Sequence, residues 1–290
     1  MILFTFLILD FIISLFICIY CPFINVYFSS WYFFLICLLV FIVVFLILVI
    51  LFALFLIIYL MPVSFNKTPH ANKFDRKLVK RACECVMQVC NVRLHVKGLE
   101  KLPQDQNFLL VQNHLSNFDV LCTLWAFRYF DFAFIFKESL LKVPLVGKFM
   151  YKVGMLAINR EDNRKGLRTI VQAMNVIKEG KKCIGVYPEG TRSKTYELAP
   201  LHAGTFKIAT KTKCPIVIST ITNSESIRFH ILKPTHVYIN VVDVLKYDDY
   251  KDLSTEQIAE QVHDMMAQDI STLDLLRDKA YLKNKRFKKS

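Results

Sequence analysis

Between Trp31 and Val63 the chain runs through 33 residues without a charged side chain. A helix that is apolar on every face suits lipid better than the surface of a soluble domain. At about 1.5 Å per residue it would be roughly 50 Å long, against a hydrocarbon core of roughly 30 Å, so it can span a bilayer with tilt or with one end in the interface.

The charges reinforce this division. Residues 1–60 hold one charged side chain, Asp10, while all 37 Lys and Arg and 23 of the 24 acids lie beyond them. That pattern describes a membrane anchor followed by one basic domain of ordinary size. In the first twenty residues Asp10 costs about 2.5 to 3.5 kcal/mol near a bilayer centre, and the fourteen Leu, Ile and Phe there return about 0.3 to 0.6 kcal/mol each. Two spans are therefore predicted, with residues 21–30 as the turn. A signal peptide is disfavoured, because no Lys or Arg precedes the apolar run and no small-residue cleavage site follows it. After the second span, Lys67, Lys73, Arg76, Lys77, Lys80 and Arg81 are opposed only by Asp75. The positive-inside rule then puts the domain of an integral membrane protein on the cytoplasmic side. The nine cysteines lack paired metal half-sites and read as free thiols in a reducing compartment.

Four regions are expected: an anchor over 1–62, a basic membrane-proximal helix within 63–90, a catalytic domain over 91–245, and a C-terminal helix with a basic tail over 246–290. In the second region Leu78, Val79, Ala82, Val86 and Val89 recur at helical spacing, with Lys and Arg free to face anionic lipid or simply solvent. Strand-like runs follow at 92–96, 108–112, 132–136, 155–158, 183–187, 215–220 and 236–242. A helix is predicted over 163–179 with Leu167, Ile170, Val171, Met174 and Ile177 on its apolar face and Gly180 as its stop. Such alternation predicts an α/β fold with a mixed, largely parallel sheet flanked by helices. Ser254 and Gln257 form a capping-box pattern at the start of the closing helix. The last eight residues carry five Lys or Arg, which suits a solvated end or anionic lipid; no nucleic-acid partner is expected.

The chemistry is concentrated in two motifs. Residues 113–119 read NHLSNFD, placing His114 at the exit of a strand with Asp119 five residues on. On a regular helix a five-residue step turns two side chains apart, so the pair meets only if the chain bends, and Ser116 as a helix N-cap would supply that bend. Ser116-x-x-Asp119 is also a capping-box pattern, which would account for Asp119 without chemistry. Residues 187–193 read YPEGTRS, where a strand stops at Pro188 and Glu189, Gly190, Thr191 and Arg192 form a tight turn. Its glycine permits close approach to a ligand, its Arg can pair bidentately with phosphate, and Thr191 adds a hydroxyl donor. Thr191 stands where a P-loop needs lysine, and there is neither G-x-S-x-G nor H-E-x-x-H, so nucleotide binding, serine esterase chemistry and zinc hydrolysis are set aside.

In order and spacing these two motifs resemble the first and third blocks of the glycerolipid acyltransferases, the 1-acylglycerol-3-phosphate (lysophosphatidic acid) acyltransferase family, over roughly residues 90–225. MLAINR (155–160) is similar to the second block and CPIVIS (214–219) to the fourth; FKESLLKVPLVG (136–147) matches a Lys-containing stretch. The resemblance implies transfer of a fatty acyl group from an acyl thioester to the free hydroxyl of lysophosphatidic acid. His114 would be the base and Asp119 its orienting carboxylate. Arg192 and Arg160 would hold the phosphate, Thr191 would assist, Glu189 and Gly190 would shape the turn around the glycerol, and Lys137 would be a further anion ligand. It implies no cofactor and no metal; the donor would be acyl-coenzyme A or acyl carrier protein. The alternatives are a relative acting on glycerol 3-phosphate or another lysophospholipid, and a non-enzymatic membrane adaptor. Asn159 departs from the Asp common before the arginine of the second block, and PLHAGTF carries His202 where the family often has Lys.

Overall fold

The computed structural model describes residues 12–14, 16, 32–63, 65, 71–193, 197–227 and 233–276. The expected first span and its turn, apart from a helical stretch at 12–14 and 16, lie outside the described residues, as does the basic tail.

Helix α1 (Tyr32–Leu60) is one unbroken run, with an apolar stretch over Leu35–Leu60 of mean hydropathy 3.8 that is long enough to cross a membrane. Most of its described side chains point away from the domain. Its last turn is fastened: Leu60 is buried and the Tyr59 hydroxyl donates to Asp75. Asp75 also closes the capping box of α2 (Lys73–Val89), accepting from the Asn72 amide at 2.9 Å while Asn72 Oδ1 accepts from the Asp75 amide at 2.8 Å. That box satisfies two of the helix's orphan donors and joins anchor to domain.

The basic helix expected near lipid packs on the domain. Cys83 and Met87 are buried in the core, with Val79 and Val86 against them, so its inner face is set by those two residues as much as by the five aliphatic positions.

All seven strands form: β1 (Val92–Lys97), β2 (Leu109–Gln112), β3 (Phe132–Lys137), β4 (Leu156–Ile158), β5 (Cys183–Val186), β6 (Ile216–Thr222) and β7 (Thr235–Leu245). They make one sheet in the order β1-β7-β6-β2-β5-β3-β4, parallel throughout except for β6 against β7. The sheet is thus mixed and largely parallel, as its alternation with helices predicts. The helices are α3 (Asp119–Ala126), α4 (Val146–Lys152), α5 (Asn163–Lys178), α6 (Lys207–Thr212), α7 (Tyr247–Tyr250) and α8 (Thr255–Leu276). Alternate strand residues feed two cores: Leu110 and Phe134 meet α2 and α3 on one face, while Leu109, Val111 and Ile184 meet α5, α6 and α8 on the other. Burial on both faces explains why β5, β6 and β2 as far as Val111 are continuous apolar or small-residue runs rather than alternating ones.

Helix α5 corrects the expected face. Thr169, Ala173 and Ile177 are buried, whereas Leu167 and Val171 stand 56% and 45% exposed. The Thr169 hydroxyl donates to the Ala157 carbonyl at 2.8 Å, which fixes the helix's rotation, and Ala173 lets it approach the sheet closely. Hydrophobicity alone weighted Leu above these smaller residues. At α8 the capping box forms as read, Ser254 Oγ accepting from the Gln257 amide at 3.2 Å and Gln257 Oε1 from the Ser254 amide at 2.8 Å.

Candidate active site

Strands β2, β3 and β5 are parallel neighbours, so the loops leaving their carboxyl ends gather at one edge of the sheet. His114 leaves β2 there. Just before it, the Asn113 side chain takes the place of a strand partner, bonding the Ile221 carbonyl at 2.9 Å and the Ile221 amide at 2.7 Å. Beneath lies a buried polar row: Thr123 Oγ1 donates to Gln112 Oε1 at 2.6 Å, and Gln112 Nε2 to Ser219 Oγ at 3.2 Å. These groups set the direction in which the chain leaves the sheet.

The chain then bends and returns. His114 Nδ1 lies 2.7 Å from Asp119 Oδ2, and the same oxygen accepts the amides of Leu115 at 2.7 Å and Ser116 at 2.9 Å. Because that oxygen already accepts two N–H groups, it meets the imidazole as an acceptor too, which assigns the donor role to Nδ1 and leaves Nε2 as the free ring nitrogen. The carboxylate is completely buried; the imidazole is 18% exposed. The bend has a different origin from the one expected. Ser116 does not cap the helix: α3 begins at Asp119, and Ser116 Oγ accepts from the Phe118 amide at 3.2 Å within the preceding turn. Only half of the capping box is made, the half in which Asp119 receives the Ser116 amide. Asp119 thus has both roles at once, organising the loop and holding the imidazole.

The Glu-Gly-Thr-Arg turn after β5 grips the same histidine from the other side. Glu189 Oε1 accepts the His114 amide at 2.7 Å, Glu189 Oε2 accepts the Ala199 amide at 3.2 Å, and the Ser193 amide donates to the His114 carbonyl at 2.8 Å. Glu189 is 4% exposed, so it latches the two loops together from inside. Burial pushes its carboxyl above the ordinary range, against the pull of the two amides. The Tyr187 ring stacks on His114 at 4.3 Å between centroids and 16° between planes, and burial with the nearby Asp119 charge keeps its phenol neutral.

Gly190 has φ +71°, in the left-handed region, and a Cβ there would lie 2.7 Å from His202 Nε2 and 3.9 Å from Arg160 Nη1. The turn, Arg160 and His202 are therefore neighbours. Thr191, Arg192 and Arg160 are exposed, and among the described residues no carboxylate pairs with either arginine. Partial burial lowers the Arg160 pKa. Asn159 shapes the approach to Arg160: its Oδ1 accepts the Glu161 and Asp162 amides at 2.9 and 2.8 Å and its Nδ2 meets Glu138. Lys137 ends β3 exposed, in register with Ile158. Four residues escaped the sequence reading as parts of the site: Asn113, Gln112, Tyr187 and His202. Each acts through a neighbour distant in the chain, and only His202 carried a signal, as a departure from the lysine common in similar chains.

Residues 93–222 match the Acyltransferase family model, which spans both motifs. A 1-acyl-sn-glycerol-3-phosphate acyltransferase of Borreliella burgdorferi is 26% identical over 205 residues, covering 68% of this chain and 80% of that one. The Escherichia coli enzyme of the same name is 28% identical over 169 residues, covering 58% and 69%. The crystal structure of the acyltransferase PlsC from Thermotoga maritima shares the fold with a TM-score of 0.55 at 24% identity, covering 70% of this chain and 79% of that one. Residues 93–222, which hold the two motifs at one sheet edge, thus carry the Acyltransferase family domain, and the chain around them is similar to 1-acyl-sn-glycerol-3-phosphate acyltransferases.

Proposed function

We propose that this acyltransferase moves a fatty acyl group from an acyl thioester to the free hydroxyl of 1-acylglycerol 3-phosphate, forming phosphatidic acid. The observation that carries the reading is the 2.7 Å contact of His114 Nδ1 with a fully buried Asp119 whose accepting oxygen is already fixed by two amides. That arrangement points Nε2 outward as a general base.

In the reaction, Nε2 takes the hydroxyl proton as the acceptor oxygen attacks the thioester carbonyl carbon. The tetrahedral adduct then collapses, the carbon–sulfur bond breaks, and the departing thiolate takes the proton from the imidazolium. Asp119 stabilises the transient cation and holds the tautomer. Arg192, Arg160 and Thr191 bind the acceptor phosphate, Arg by bidentate charge-assisted bonds, with Lys137 as an outer cation. Glu189 and Gly190 keep the turn closed against His114. Both donors, acyl-coenzyme A and acyl carrier protein, are anionic and suit a basic domain. Helix α1 anchors the protein, with the basic flank after it holding the domain on the cytoplasmic side.

The test is acylation by the purified full chain of 1-acylglycerol 3-phosphate, glycerol 3-phosphate and a neutral-headgroup lysolipid, each with both donors. Phosphatidic acid as the main product is expected. Preference for glycerol 3-phosphate or a neutral lysolipid would replace the acceptor assignment, and no product with either donor would overturn the reading.

A further inference from the structure

Beyond the site itself, the segment after β3 is unusual for a domain surface. Residues 142–146 are exposed without interruption, and Leu140, Val143, Leu145 and Val146 show 39%, 41%, 42% and 47% of their surfaces to solvent. Leu145 has φ +61° and ψ −48°, and the Val146 amide donates to the Pro144 carbonyl at 2.6 Å. That is a γ-turn of the rare, strained hand, adopted by a leucine where glycine would be at ease. Leu145 is part of neither hydrophobic core, and two fifths of its surface is open to solvent.

We infer that this apolar bend is a second contact with the bilayer, inserted among the headgroups and upper acyl chains beside the site. The inference rests on the acyltransferase reading and on α1 as a membrane anchor. Three observations support lipid as the occupant. Residues 139–152 contain Lys142, Lys148 and Lys152 and no acid, which suits anionic headgroups. Helix α4, which follows the bend directly, is tied to the end of α1 and just beyond it: Lys152 Nζ donates to the Tyr59 carbonyl at 3.1 Å and lies 4.0 Å from the Tyr59 ring centroid, and the Tyr151 hydroxyl donates to the Phe65 carbonyl at 2.9 Å. At seven residues α4 is about 10 Å long, so the bend is held a short, rigid distance from the apolar helix. Finally, the bend leaves the same sheet edge as His114, and Glu138 at its start bonds Asn159 beside Arg160.

Two measurements test this. The full chain is reconstituted in vesicles of phosphatidylcholine and phosphatidylglycerol, with and without bromine on the acyl chains. A Leu145→Trp variant should lose about half of its added fluorescence to brominated lipid, as expected for insertion into the acyl boundary, while Tyr129→Trp, on an 82% exposed position at the end of α3, should lose little. Equal, minor quenching at both positions would overturn the inference whatever the enzyme's activity, and quenching at Leu145→Trp would stand even if acyl transfer were absent. Second, Leu145→Glu with Val146→Glu should raise the KM for vesicle-borne acceptor several-fold and leave the rate with a short-chain, water-soluble acceptor unchanged. An equal loss with both acceptors would mean that the bend supports the fold rather than the membrane contact.

Discussion

His114 and Asp119 are fixed to each other and to the main chain around them, whereas Arg160, Thr191 and Arg192 stand exposed and, among the described residues, make no ion pair. Asp119 receives two main-chain amides, the His114 amide is donated to Glu189, and the Tyr187 ring stacks on the imidazole. The rim has two arginines near a glycine turn, and among the described residues they pair with no carboxylate. The difference follows from what each half must do. Proton transfer demands a fixed tautomer and direction, which the protein supplies in advance, while a phosphate brings its own charge and completes the bonds that the rim leaves open.

The largest effects should come from breaking the inner half. His114→Ala should abolish acyl transfer in a protein that remains folded by circular dichroism. Asp119→Asn should lower turnover about 10³- to 10⁴-fold. It should also destabilise by about 1 to 3 kcal/mol, because Oδ1 is buried without a partner among the described residues and an amide nitrogen in its place would be an unmet donor. Turnover near wild type in Asp119→Asn would leave the carboxylate as a loop organiser alone.

Disturbing the rim should affect binding before chemistry. Arg192→Ala should raise the KM for the acceptor by about 10- to 100-fold, corresponding to a lost charge-assisted bond of about 1.5 to 3 kcal/mol, with the KM for the donor unchanged; Arg160→Ala should do so more mildly. A change confined to the donor would remove both arginines from the phosphate. Gly190→Ala should raise the acceptor KM less than Arg192→Ala, since the new methyl meets the His202 ring, and adding His202→Ala should restore part of the loss. Failure of that rescue would place the defect in the left-handed backbone instead.

The smallest expected effect lies in the latch between the halves. Burial raises the pKa of Glu189, so the folded protein binds its proton at a pH where the unfolded chain has lost it. Its contribution to stability should therefore fall as pH rises from the ordinary carboxylate range to the raised value, and be flat above it. Urea unfolding of wild type and Glu189→Gln across this window should show the slope only in the wild type. A slope in both would assign it to another carboxyl group.

What was legible in the chain was whatever depends on near neighbours. Seven strand runs, the α8 capping box and the uncharged length of α1 are matters of period and local chemistry, and each is found where its residues predict. The His114–Asp119 pair was legible as a spacing, though not its cause: the bend arises from two main-chain amides converging on one carboxylate oxygen, which no side-chain pattern states. Tertiary structure alone decided the rest. Glu189 meets His114 across 75 positions of chain, and Asn113 meets Ile221 across 108. The rotation of α5 was decided by one hydroxyl reaching Ala157 rather than by its largest apolar residues. Helix α2 buries Cys83 and Met87 because a core is there to receive them. Sequence period reports the faces that an element could bury, while the bonds and surfaces that a particular neighbour offers select the face that is buried, and with it the loops that meet to form the site.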